Sequence, residues 1–97
     1  MILVDDLVDY GPELTRGLPS HRWCHMVSDE SLEELHAFAA QIGLRRSWAQ
    51  LRPKASSAHY DLTPPRRERA IALGATAVTS RELCARNHDG LRRRGLQ

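Results

Sequence analysis

Ninety-seven residues, 41% apolar and 27% charged, suffice for one small packed domain and leave little room for two; a composition so close to ordinary globular usage argues against wholesale disorder. No apolar run reaches the length of a membrane span, and the opening MILVDD lacks the basic stretch of a secretory leader, so the expectation is a cytoplasmic protein with no membrane partner. The net charge of +2 conceals an uneven distribution: residues 1–40 hold eight acidic groups against Arg16 and Arg22, whereas residues 41–97 hold twelve basic groups against four acidic ones. Such asymmetry points to an anionic partner, nucleic acid or another phosphate-containing ligand, unless the two halves mix their charges on one folded surface.

The chain opens with Ile2-Leu3-Val4, a short buried strand that ends in the paired carboxylates Asp5-Asp6. Residues 9–22 carry Gly11, Pro12, Gly17, Pro19 and Ser20 and predict one long loop. Trp23 to Val27 predicts a second strand, with Trp23, His25 and Val27 on one side and Cys24 and Met26 on the other. Trp23 is expected in the core. Ser28 or Asp29 then caps a helix whose stripe is Leu32, Leu35, Ala39 and Ile42, with Glu30, Glu33 and Glu34 near its positive end and Gly43 as its stop.

Residues 47–50 predict a third strand, residues 51–58 a polar loop, and His59 to Leu62 a further short strand. Thr63 and Pro64 start a second helix that ends at Gly74. Ala75 to Val78 predicts a strand. Thr79 and Glu82 have the spacing of a capping box before a short last helix. From residue 87 the pattern dissolves into a basic tail with Arg92, Arg93 and Arg94. The expectation is a single α/β domain over residues 1–86, a small single-layer sheet covered by two main helices plus a short C-terminal helix.

Chemistry concentrates in His59-Tyr60-Asp61. In an extended segment His59 and Asp61 project to one side and Tyr60 to the other, and an imidazole beside a carboxylate can ligate a metal or act as an acid–base pair. Arg66 and Arg67 follow, with guanidinium groups suited to bidentate phosphate contacts; the alternative is an Asp61–Arg ion pair bracing the loop. Asp5, at the end of a buried strand, is a second candidate ligand for a divalent metal. The catalytic candidates are thus Asp5, His36, His59 and Asp61, and the metal-ligand candidates Asp5, His25, His59 and Asp61. His21, Cys24 and His25 resemble zinc spacing, but no second cluster answers them. Cys24 and Cys84 are too few for a disulfide framework and fit a reducing compartment.

The ordered set V-D-D, C-H-M, E-L-H-A-F-A, R-x-W-x-Q, H-Y-D-L-T and R-R…G-A resembles the bacterial and phage family known as domain of unknown function 4031, over residues 2–83. The resemblance singles out Asp5, Asp6, His25, His36, Trp48, Gln50, His59, Tyr60, Asp61, Arg66 and Arg67 as a unit. Cys24 departs from the family's usual Ser, and Ala49 from its usual aromatic residue. The family name implies no activity. The residues themselves lead to a metal-assisted site acting on a phosphate-containing substrate, a nucleotide or nucleic acid. The alternatives are a non-catalytic nucleic-acid or protein-binding module, or a purely structural polar cluster.

Overall fold

The computed structural model describes residues 1–51 and 58–87; the expected polar loop after Leu51 and the basic tail fall mainly outside them. Strand β1 (Ile2–Val4) is buried throughout and pairs antiparallel with β3 (Arg22–Ser28), Val4 lying opposite Met26. The two-residue β2 (Val8–Asp9) pairs with the start of β3, Val8 opposite Trp23. The three residues Asp5 to Leu7 therefore lie across from only two, Cys24 and His25, which makes a β-bulge. The extra residue changes the side on which the chain faces. Leu3 packs with Val27 and Leu83, whereas Leu7, on the same side by simple alternation, packs with Ile2 and Val4 in the opposite cluster.

On its other edge β3 pairs antiparallel with β4 (Tyr60–Leu62), so that Met26 sits between Val4 and Tyr60. The two-residue β5 (Thr76–Ala77) runs parallel to β1 and completes a small sheet of five strands. The helices are α1 (Gly11–Leu14), α2 (Leu32–Gln41), α3 (Pro64–Ala72) and α4 (Ser80–Arg86). One sheet face is covered by α2 and α3, whose Leu35, Ala39 and Ala70 close over Ile2, Val4, Cys24, Met26, Tyr60 and Leu62. Among the described residues the other carries the small cluster of Leu3, Val27 and Leu83, with Val78 packed against it. This is the α/β arrangement expected, with two main helices and a short C-terminal one, and among the described residues no helix is long and apolar enough to cross a membrane.

Several local expectations are corrected. The cap of α2 is Ser31, whose hydroxyl accepts from the Glu34 N–H, because Ser28 and its neighbours form the preceding turn: Ser28 Oγ accepts from the Glu30 and Ser31 N–H groups and donates to Glu34. Residues 47–50 are not a strand. Arg46–Trp48 forms one turn of 3₁₀ helix, and only Gln50 reaches the sheet, in a single bridge to His59. The loop expected over 9–22 is shorter and better anchored, since β2, α1 and the Tyr10 N–H to His21 carbonyl bond interrupt it. Gly11, with φ +76°, makes the sharp entry into α1, where Asp9 Oδ1 accepts its N–H. The Thr79 cap is as expected, accepting from the Glu82 N–H, although Glu82 spends its own carboxylate on Arg86.

Met26 is fully buried at the centre of the larger cluster, whereas Leu14 in α1 is 78% exposed. Met26→Ala should therefore lower unfolding free energy by about 2–5 kcal/mol, and Leu14→Ala should change it by no more than about 0.5 kcal/mol. Urea denaturation of the two variants checks the contrast.

Candidate metal centre

Because α4 caps only one end of its face, the sheet is uncovered around the N-terminal half of β3. The bulge puts Asp5 there, alternation along β3 brings His25, and β4 with its flank brings Asp61 and His59, His25 lying directly across from Asp61. Here a cleft of about 840 Å³ opens. Trp23, His25, His59 and Asp61 line it, together with Tyr10, Leu14 and Leu18 and with Ser47, Trp48, Gln50 and Arg66.

Asp5 is 1% exposed and fully engaged. Its Oδ1 accepts the His25 backbone N–H at 2.6 Å, and its Oδ2 meets His25 Nδ1 at 2.9 Å and the Ser80 hydroxyl at 2.9 Å. Burial pushes its carboxyl up, but the bonds from the His25 ring, the His25 backbone and Ser80 outweigh that and hold it below the usual carboxylate range. An ionised carboxylate only accepts, so His25 must carry its proton on Nδ1, and in the neutral ring Nε2 keeps the free lone pair. This is the carboxylate–histidine couple that commonly stands behind a metal ligand.

His25, His59 and Asp61 each offer a ligand atom, and these atoms lie within 4.8 Å of one another. The two rings meet edge to face with centroids 5.0 Å apart, and His59 Nε2 is 3.4 Å from Asp61 Oδ1. Two imidazoles and one carboxylate could supply three ligands to an ion, a number that would leave coordination positions for water and substrate. A second acidic group, Asp29, Glu30 and Glu34, has similar spacing, but its charge is already met by the Met1 ammonium and by Arg86.

Other candidates are placed elsewhere. Asp5 stands behind His25 rather than beside the other ligands. Asp6, next in the bulge, is exposed. His36 does not join the group: its Nδ1 shares a 2.6 Å hydrogen bond with the Tyr60 hydroxyl, and Tyr60 belongs to the cluster under α2 and α3. Burial, then the charge of Arg46, holds the His36 imidazole below its usual value. Arg67 is turned toward the bulge, where its Nε donates to the Asp5 carbonyl at 2.8 Å, while Arg66 reaches the cleft. Trp23, expected in the core, is half-buried at the cleft, its indole N–H donating to the Ser20 carbonyl. Burial, then Asp5, pushes the Cys24 thiol up to about 12, which leaves no thiolate nucleophile there.

The model of the family described as "Protein of unknown function (DUF4031)" matches residues 2–90. The chain belongs to that family. No curated protein and no solved structure matches it. Of the positions that the DUF4031 resemblance singles out, the fold brings Asp5, His25, His59 and Asp61 into one connected group, with Trp48, Gln50 and Arg66 at the same cleft. Ser80 was not singled out from sequence. Ser80 is visible there only as the first residue after a capping threonine, and nothing local signals its bond to Asp5.

Because Asp5 holds its carboxyl lower when folded than when unfolded, its stabilisation is complete above about pH 4 and fades as pH falls through the folded value. Asp5→Asn should remove that acid-limb dependence and cost about 1–3 kcal/mol at neutral pH, since an amide NH₂ would face donors. Thermal melts between pH 2.5 and pH 7 read both effects; an unchanged acid limb in Asp5→Asn contradicts the assignment.

Proposed function

We propose that this protein is a metal-dependent phosphoester hydrolase in which His25, His59 and Asp61 hold one divalent ion. The observation that carries the reading is the gathering of ligand atoms from three residues at a cleft, one of these residues being His25, whose Nδ1 is fixed by a buried carboxylate. Two imidazole ligands suit zinc or a similar transition ion better than magnesium. Bound there, the ion would polarise a phosphoryl oxygen and lower the pKa of a water ligand toward neutrality, supplying the nucleophile. Asp5 and Ser80 keep His25 in the ligating tautomer, and Arg66 offers positive charge to the phosphate.

Support comes also from what the cleft lacks. Among the described residues that line it, Asp61 is the sole carboxylate, so there an anionic substrate meets Arg66 with one opposing charge, which the ion would neutralise. A binding module without a metal would use Arg66 in the same way, with the His25 tautomer serving only to satisfy Asp5.

Calorimetric titration with zinc at pH 7.5 should give one site per chain. Asp61→Ala and His59→Ala should abolish it, and Asp5→Asn should weaken it about 10–100-fold. With the ion bound, the parent protein should hydrolyse bis(4-nitrophenyl) phosphate, and Asp61→Ala should lose at least about a hundredfold in rate. No stoichiometric binding by the folded protein of zinc, manganese or magnesium overturns the metal reading, while binding without turnover leaves a metal-bearing binding module in its place.

A further inference from the structure

The cleft is larger and more apolar on its walls than a bare phosphate needs. Trp48 is 44% exposed beside the candidate ligands. The Arg66 guanidinium carbon lies 5.2 Å from its ring centroid and that of Arg45 lies 5.8 Å away. Tyr10, Leu14 and Leu18 of the same lining are 40%, 78% and 55% exposed. Large apolar side chains left in water around one depression mark a surface that something apolar covers. An exposed indole flanked by guanidinium groups is a surface on which nucleobases stack without regard to sequence.

Charge extends this beyond a mononucleotide. Arg66 lies in the cleft, but Arg45 and Arg46 lie outside its lining, on the rim and on the 3₁₀ turn. Among the described residues none of these three is in an ion pair. Arg46 is close enough to His36 and Tyr60 to act on both electrostatically, so the positive charge runs from the cleft along the outside of the molecule toward α2. One phosphate would use Arg66 alone. A row of phosphates would use the whole line. A duplex keeps its base faces stacked inside, where Trp48 cannot reach them, and serves only the charges.

We infer that the cleft binds a single-stranded polynucleotide, one base stacked at Trp48, the adjoining phosphate at Arg66 beside His25, His59 and Asp61, and the neighbouring phosphates along Arg45 and Arg46. The inference rests on the metal reading for what happens to that phosphate, and on the arginines and Trp48 alone for binding.

The test measures fluorescence anisotropy of labelled oligothymidylate and oligouridylate of about ten nucleotides, in chelator so that no cleavage occurs, against a hairpin duplex and against thymidine monophosphate. Both single strands should bind more tightly than the duplex and the monophosphate, and more weakly as salt rises. Trp48→Ala should weaken single-strand binding roughly tenfold or more, and Trp48→Phe less. Arg45→Ala with Arg46→Ala should weaken oligomer binding but not monophosphate binding. In Trp23→Phe, Trp48 is the one indole left of the two, and its quenching by oligomer reports stacking even if Trp48→Ala fails to fold. Equal affinity for duplex and single strand, or an unquenched Trp48, overturns the inference. Zinc titration of the same variants separates the two proposals: zinc bound without strand binding removes this one alone, and strand binding without zinc removes the metal centre alone.

Discussion

The Asp5 carboxylate is buried to 1% exposure and accepts from the His25 backbone, from the His25 ring and from Ser80. A charge in that position is tolerable only with its acceptor capacity filled, because each unmet bond to a buried ion costs far more than a surface contact gains. The donors come from β3 and from the first turn of α4, and the Asp5 carbonyl takes a further bond from Arg67 of α3. One residue thereby links the first strand to the central strand, to a helix on each side of the sheet, and to the ring that faces the cleft. The bulge at Asp5 to Leu7 makes this possible: it lets Asp5 stay with Leu3 on the sparsely covered face while Leu7 returns to the main core.

Unequal coverage of the sheet follows from the same sequence. Helices α2 and α3 bury Cys24, Met26, Tyr60 and Leu62 on one side, and α4, with seven residues, shields only Leu3 and Val27 on the other. The remaining part of that face is polar along β3 and β4 and is walled by the α1 excursion and the 3₁₀ turn. A stable apolar layer thus holds a polar site steady from behind, and rigid strands rather than loops carry most of the proposed ligands. Such a base fixes ligand positions better than loops would.

What was legible in the sequence is what depends on short range. The two-residue period put His59 and Asp61 on one side and Tyr60 on the other, and the stripe of Leu32, Leu35, Ala39 and Ile42 described α2 correctly. The pairing of Asp5 with His25 spans twenty residues and depends on a bulge, which leaves no compositional trace when built from Asp and Leu rather than glycine. Arg66 and Arg67 are adjacent and chemically alike, yet helical geometry sends one to the cleft and the other to the Asp5 carbonyl. His36, grouped with the other histidines on chemistry alone, lies on a helix that packs on the opposite face and is bonded to Tyr60. Trp23 was assigned to the core because aromatic residues of a small domain are usually packed there, and its face of β3 proved to be the open one.

The central claim is that Asp5 fixes the His25 tautomer so that Nε2 joins His59 and Asp61 at one ion. Long-range proton–nitrogen correlation spectra of the ¹⁵N-labelled imidazoles test it directly, with and without zinc, at a pH where the rings are neutral. The expected result is a His25 ring protonated on Nδ1 in the apo protein, and zinc-induced shifts at His25 Nε2 and at His59, with the His36 signals unmoved. A His25 ring protonated on Nε2, or a zinc response at His36 in place of His25, would contradict it.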